Sequence, residues 1–303
     1  MKEKEPEQNI CPHCHFDQST YVMPPYVLTP YTVLNGRYLV GKVLGKGGFG
    51  ITYIAMDMML ERVVAIKEFF VQGYMYRDNS TSTSISVSTS AGDSQEQYYR
   101  LNREKFEREA KIIAHLDDLT GIVKVYDFFY ENDTVYMVLE YLDGINLKEY
   151  VKAQGGKLNV NEVTSKLNSV MSSLQNLHEH GILHRDISPD NIMVLGDGSL
   201  KLLDFGGAKI QANTGLSNMV IAKKGYTPIE QYHTDGNQGV WTDVYAMAQV
   251  EGAGKPLSNL QNGQMVKIRQ NASGVVTGLT IDTGNNQQVL FTRQPDGSFI
   301  RAR

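Results

Sequence analysis

The chain has 303 residues, 41% hydrophobic and 20% charged with a formal net charge of −4, a globular composition with room for one large core or two smaller ones. That balance argues against a general nucleic-acid or anionic-membrane binder, and no run approaches the roughly 18 apolar residues of a membrane span. The N-terminus, MKEKEPEQNI, has no apolar segment of secretory type, and two cysteines make no disulfide framework, so cytoplasmic residence is the expectation.

Residues 1–35 carry prolines at 6, 12, 24, 25 and 30 and read as an irregular, extended leader. Within it, Cys11-Pro-His-Cys14 has the spacing of half a zinc knuckle. Structural zinc takes four ligands, no second CxxC occurs, and His13 and His15 lie too close to complete a good tetrahedron. Ligand count therefore argues against zinc at Cys11/Cys14 within one chain, leaving a degenerate ribbon or a metal bridging two chains as variants.

From Gly36 the pattern turns β-rich. RYLVGKVLG and ITYIAMD flank the cluster Gly45-Lys46-Gly47-Gly48-Phe49-Gly50, and VVAIKEFF follows as a third strand. Glycines let backbone N–H groups crowd around phosphate, although an ordinary glycine-rich hairpin has the same look. A dinucleotide-binding fingerprint needs a helix directly after the glycines, and here a strand follows. Lys67 interrupts the third strand, and a buried ammonium is costly without an acid. Either it snorkels to solvent from a strand edge, or the next helix supplies the acid.

Residues 78–98 are rich in Ser and Thr and read as an exposed loop, with Ile85 and Val87 allowing a short hairpin instead. A helix is expected from about Gln97 to Leu116. On its wheel Phe106, Ala110, Ile113 and Leu116 mark the inward arc, and Glu109 falls inside it, so we pair Glu109 with Lys67. Strands around IVKVYDFF and TVYMVLEY follow, then helical periodicity over 146–180. Strands first and helices afterwards suggest a two-lobed α+β protein with a cleft between the lobes.

HRDISPDNIM, residues 184–193, comes next, with Asp204-Phe205-Gly206 shortly after. Asp186 is placed to orient and deprotonate an attacking hydroxyl, and Asn191 and Asp204 are hard oxygen ligands suited to Mg²⁺. Each alone reads equally well as a turn-former. Glycine flap, strand lysine, inward glutamate, HRD-x₄-N and DFG in this order and spacing resemble the protein-kinase signature set.

Over residues 36–248 the chain resembles the bacterial eukaryotic-like serine/threonine protein kinases. That resemblance implies a β-rich N-lobe over about 36–142, a helical C-lobe over 143–248, and ATP and Mg²⁺ as cofactors. Lys67 would hold the α/β-phosphates. Thr52, Ala65 and Met193 would line the adenine pocket, with Leu139 as gatekeeper and the backbones of Glu140 and Leu142 as the hinge. His184, Phe205 and Ile113 would form part of the internal stack. Asp243 would anchor the HRD loop, and Gly225–Glu230 stands where the family has the segment ending APE.

Two positions depart from the family together. Ser188 replaces a lysine that contacts the transferred phosphate, and Lys223 stands where a neighbouring threonine is expected. The basic residue has then moved from one loop to the other, Lys223 supplying the charge and Ser188 a hydroxyl partner to Asp186, or Lys223 is a solvated surface lysine and Ser188 a simple loss. Arg185 suggests control by phosphorylation, with Thr214, Ser217 and Thr227 as candidates or as ordinary loop residues.

After Ala248 the helical pattern expected of the family stops. QMVKIRQ, VVTGLTID, QVLFTRQ and SFIRAR, separated by turn signals, read as a four-strand β-meander over 249–303. A fused β-module, a truncated kinase gene running into unrelated sequence, and a divergent lobe compete, with truncation preferred. The expected function is transfer of the ATP γ-phosphate to Ser/Thr hydroxyls of proteins, with Asp186, Lys67, Glu109 and Lys223 as the catalytic set. The alternative is a nucleotide-binding pseudokinase or scaffold. No nucleic-acid partner is expected, and the sequence leaves the oligomeric state open.

Overall fold

The structure is a computed structural model that describes residues 23–24, 26–79, 82–87, 93–116, 118–156, 158, 160–210, 223, 225–232 and 237–251, with strand segments 266–270, 276–282, 288–293 and 299–301. Cys11, Cys14, Thr214 and Ser217 lie outside the described residues. The chain divides into two compact units, one holding residues up to Ala114 together with Lys124–Tyr141, the other His115–Val123 and everything from Leu142.

In the first unit the strands Val33–Leu34 (β1), Tyr38–Gly47 (β2), Gly50–Asp57 (β3) and Arg62–Phe69 (β4) run in order across a sheet. A hairpin, Met75–Arg77 (β5) with Ile85–Val87 (β6), and the helix Asp93–Ala114 (α1) intervene. Val125–Glu131 (β7) and Thr134–Glu140 (β8) then complete a six-stranded sheet of order β1-β2-β3-β4-β8-β7. Every pairing in it is antiparallel.

Register assigns the faces, because side chains alternate along a strand and cross-strand partners share a side. Thr52 opposes Lys67, Ile54 opposes Ala65, Lys67 opposes Met137 and Ala65 opposes Leu139, so these six line one face. On that same face Phe69 meets Phe106 of α1 at 5.6 Å between ring centroids. Tyr53, Glu68 and Tyr136 line the other face, and all three are fully buried.

What covers that second face corrects two expectations. The leader is not extended throughout: Val27 and Leu28 are buried, Leu28 N–H donates to the Tyr53 hydroxyl at 3.1 Å, and Val33–Leu34 pairs with β2. The run after Arg77 is not simply an exposed loop either, since Met75 opposes Val87 in a hairpin with Met75, Arg77 and Ile85 buried. Both segments converge on one buried charge pair. Arg77 donates to the Glu68 carboxylate and to the carbonyls of Tyr26 (2.9 Å) and Thr83 (2.7 Å).

The second unit contains Gly144–Asn146 (β9), Leu147–Ala153 (α2), Val160–Glu179 (α3), Ile182–Leu183 (β10), Ile192–Leu195 (β11), Leu200–Leu202 (β12), Lys209–Ile210 (β13) and Val240–Glu251 (α4). Leu167, Val170, Leu174 and Leu177 recur at the i, i+3/i+4 spacing of one helical stripe, and they bury α3. Three-stranded β12-β11-β9 and two-stranded β10-β13 are the small sheets that carry the loops between them. After α4 come Val266–Gln270 (β14), Val276–Asp282 (β15), Gln288–Arg293 (β16) and Phe299–Arg301 (β17), paired in sequential order as an antiparallel meander. Among the described residues no helix follows Glu251.

Candidate active site

In the first unit the glycine cluster closes the β2–β3 hairpin. Gly45, Lys46 and Gly47 end β2, Gly48 and Phe49 make the turn, and Gly50 opens β3 opposite Gly47. At Gly50 a Cβ would come within 2.9 Å of the Glu68 carbonyl, so the sheet itself demands glycine there. Lys67 Nζ donates to Glu109 Oε1 at 2.8 Å, the carboxylate side chain being 5% exposed and the lysine 18%. The ion pair drawn from the helical wheel is therefore formed. Thr52 and Ala65 share its face of the sheet, and Glu140 ends β8 with its N–H donated to the Lys124 carbonyl at 2.9 Å.

In the second unit the loop 184–191 hangs from one carboxylate. Asp243, in the first turn of α4 and fully buried, accepts from His184 N–H at 2.8 Å, Arg185 N–H at 2.7 Å and His178 Nε2 at 2.8 Å. Arg185 has φ +67° and Asp204 φ +60°, left-handed conformations that are costly for residues with a Cβ. Two amide hydrogen bonds to one anion hold the first of these turns in place. Burial alone would raise the Asp243 carboxyl, but the hydrogen bond from His178 and the charges beside it outweigh that and keep it below its usual range.

His184 links this loop to the next. Its Nδ1 accepts from Asp186 N–H at 3.3 Å, which fixes the tautomer, so Nε2 donates to the Leu203 carbonyl at 3.1 Å. The ring meets Phe205 edge-on at 4.6 Å. Burial pushes the His184 imidazole below its ordinary value, with Asp243 pulling the other way. The unfolded chain thus takes up a proton near pH 6.5 that the folded site refuses, and stability falls as pH drops below that value. Asp243 adds a second loss as pH falls through the carboxylate range, below about pH 4. We expect the unfolding midpoint to decrease from pH 7 to pH 5, with a shallower decrease in His184→Gln. Equal slopes in the two proteins would dismiss this account.

Asn191 Nδ2 donates to both the carbonyl and Oδ2 of Asp186, each at 2.9 Å. The carboxylate fixes which end of the amide is nitrogen, so Asn191 presents Oδ1 as its remaining acceptor. Leu203 N–H donates to the Asn191 carbonyl at 2.8 Å, which sets Asp204 one residue from that contact, and Asp204 Oδ1 accepts from Gly206 N–H at 3.2 Å. Met193 sits on β11 opposite Asn146, and Leu142 is buried.

The two departures from the family pattern touch. Lys223 Nζ donates to the Oγ of fully buried Ser188 at 2.8 Å and pairs with Asp190 Oδ2 at 2.8 Å. A lysine so engaged is not a freely solvated one. Thr227 Oγ1 accepts from Lys223 N–H at 2.7 Å.

Sequence reasoning missed four contributors. Lys148 also reaches Asp190, at 3.1 Å. Gln231 Nε2 donates to the Arg185 carbonyl at 2.9 Å, and Thr242 Oγ1 donates to Glu230 at 2.9 Å. In the sequence His178 carries only the signal of a histidine near a helix end, and its contact with Asp243 comes from the tertiary fold.

Residues 38–251 match the family model described as protein kinase domain, and residues 227–303 match one described as opacity-associated protein A LysM-like domain. The overlap contains α4. Serine/threonine-protein kinase PrkC of Bacillus subtilis is 32% identical over 219 residues, covering 72% of this chain and 30% of that protein. Probable serine/threonine-protein kinase PknB of Lactococcus lactis is 31% identical over 216 residues, covering 70% and 30%. A solved structure described as the apo form of PpkA-294 is 31% identical with a TM-score of 0.64, covering 76% of this chain and 80% of that one. The chain thus spans about 30% of the length of the curated relatives it matches.

Proposed function

The chain belongs to the protein kinase domain family, and from that premise we propose that it is a serine/threonine protein kinase, transferring the γ-phosphoryl group of ATP to hydroxyls of protein substrates with Mg²⁺. The observation that carries this reading is the Asp186 carboxylate, held by the Asn191 amide on a loop whose left-handed turn hangs from Asp243. With Oδ2 oriented in this way, the carboxylate accepts the proton of the attacking hydroxyl as the new O–P bond forms and the bond from the γ-phosphorus to the β–γ bridging oxygen breaks, ADP leaving with that oxygen. Lys67, fixed by Glu109, offers its ammonium to the α- and β-phosphates, and the backbone of Gly45–Gly50 covers them. Thr52, Ala65, Glu140, Leu142 and Met193 are assigned to the nucleotide base.

Asp204 and Asn191 Oδ1 are hard oxygen donors, and Mg²⁺ is usually held by only one or two protein groups besides phosphate and water, so the residues present fit it. When bound, the ion would offset negative charge on the phosphates. Among the described residues no cluster of three His, Cys, Asp or Glu forms a further metal site.

Lys223 takes over the phosphate contact that Ser188 cannot make, its ammonium steered by the Ser188 hydroxyl and Asp190. Lys223→Met should lower kcat roughly 100-fold, the order of one lost transition-state donor, while the unfolding midpoint stays close to wild type because the ion pair is part-exposed. Undiminished transfer by that variant would leave the lysine exchange without a role.

The same proposal divides the chain into a leader (1–35), a kinase domain (about 36–248) and a β-rich tail (249–303). A cytoplasmic location belongs to it and rests on cysteine usage. No helix among the described residues is long and apolar enough to cross a membrane. The alternative of an inactive scaffold finds no support in the relatives, whose names are those of serine/threonine-protein kinases. Incubation with ATP and a pool of Ser, Thr and Tyr peptides, followed by phosphoamino-acid analysis, tests the proposal. Mg²⁺-dependent label on serine and threonine is expected; label confined to tyrosine, or indifferent to Mg²⁺, would refute it.

A further inference from the structure

The proposed mechanism uses Lys223 but gives no reason for the arrangement around Asp190. Asp190 lies in the single turn Pro189–Asn191, directly before the residue whose amide holds Asp186. Its two carboxylate oxygens are shared out: Lys148 Nζ reaches Oδ1 at 3.1 Å and Lys223 Nζ reaches Oδ2 at 2.8 Å. Lys148 comes from α2, Lys223 from the segment before Gly225, and the carboxylate makes these two distant residues converge. Long lysine side chains lose rotamer freedom when held, so a fixed pair is already ordered for binding.

The charge count decides what such a pair would bind. Among the described residues two ammonium groups face this one carboxylate, leaving one net positive charge. Side-chain exposures of 68% for Lys148, 36% for Lys223 and 31% for Asp190 leave that charge open to a ligand. The lysines together hold the Asp190 carboxyl below its usual range against the opposing effect of burial. Burial pushes the Tyr226 hydroxyl up, with the Asp190 charge adding to that and Lys148 opposing it. A cation approaching Asp190 would meet two like charges, whereas an anion would find a donor on Lys148 with the Lys223 charge close behind it.

We infer that Lys148, held beside Lys223 by Asp190, is an acceptor-side basic group selecting protein substrates with an acidic side chain close in sequence to the phosphorylated Ser or Thr, with the Lys223 charge adding to the attraction while its remaining donor serves the phosphate. The inference rests on the proposed transfer at Asp186 for its placement.

Three fluorescent Ser peptides that differ only in Glu, Gln or Lys flanking the acceptor test this with the full chain, by anisotropy for binding and by phosphate incorporation for transfer. The Glu peptide is expected to bind and to react roughly five- to tenfold better than the Lys peptide, with the gap shrinking as salt is raised. Lys148→Gln should narrow the gap and Lys148→Glu close or invert it, with the KM for ATP unchanged. Equal binding of all three peptides, preference for Lys, or a preference that Lys148→Glu does not move would overturn the inference. Charge-selective binding without transfer would uphold the basic pair and count against the kinase reading instead, so the two fail separately.

Discussion

Asp186→Asn is expected to lower phosphotransfer by about 10²–10⁴-fold while leaving ATP affinity within about twofold of wild type. The substitution keeps shape and replaces the basic carboxylate by an amide that takes up no proton. The neighbouring groups keep contacts that do not need its charge: the turn is fixed by Asp243 through the amides of His184 and Arg185, and Asn191 also donates to the Asp186 backbone carbonyl. An unchanged unfolding midpoint should therefore accompany the lost rate. Residual activity within tenfold of wild type would show that the hydroxyl loses its proton elsewhere.

The largest effect on stability is expected from Glu68→Ala. This carboxylate is fully buried and accepts from the hydroxyls of Tyr53 and Tyr136, each at 2.8 Å, and from both terminal nitrogens of Arg77. Burial pushes both tyrosine hydroxyls up, with the Glu68 charge next in effect, so they stay as donors. Removing the carboxylate strands a buried guanidinium and two phenols, a loss of about 3–5 kcal/mol. That is a large share of the roughly 5–15 kcal/mol that holds a domain folded. Because Arg77 also carries the leader through the Tyr26 carbonyl, Glu68→Ala should expose residues near Tyr26 to protease before the sheet itself unfolds. The paired change Glu68→Leu with Arg77→Met should recover most of the loss. A urea midpoint for Glu68→Ala near that of wild type would remove the pair from any structural role.

The contrast between these two residues shows what the sequence made readable. Asp186, Asn191 and Asp204 sit in short motifs where local spacing states the chemistry. Lys67 and Glu109 are 42 residues apart, yet strand alternation and a helical wheel joined them because each would be costly to bury alone. Ser188 and Lys223 were linked only through departures from a family pattern, and neither periodicity nor propensity connects them. Glu68, one residue past Lys67, was passed over although alternation puts it on the opposite face, where nothing in the sequence announced a partner. Its partner Arg77 stands at the head of RDNSTS, a run whose polarity reads as a loop, and its burial depends on tertiary contacts that local propensity does not encode. The leader misled in the same way, since prolines around Tyr26–Leu28 concealed two buried apolar residues. Asp190 sits inside the same short motif as Asp186 and Asn191, where an aspartate after proline reads as an ordinary turn-former.

The most direct measurement is a single turnover of the full chain with γ-labelled ATP and Mg²⁺, wild type beside Asp186→Asn. Acid-stable label on serine or threonine in the wild type, and its near absence in the variant at equal nucleotide occupancy, is the result predicted. Wild-type chain that binds ATP and transfers no label, or a variant that labels as well as wild type, would contradict the account.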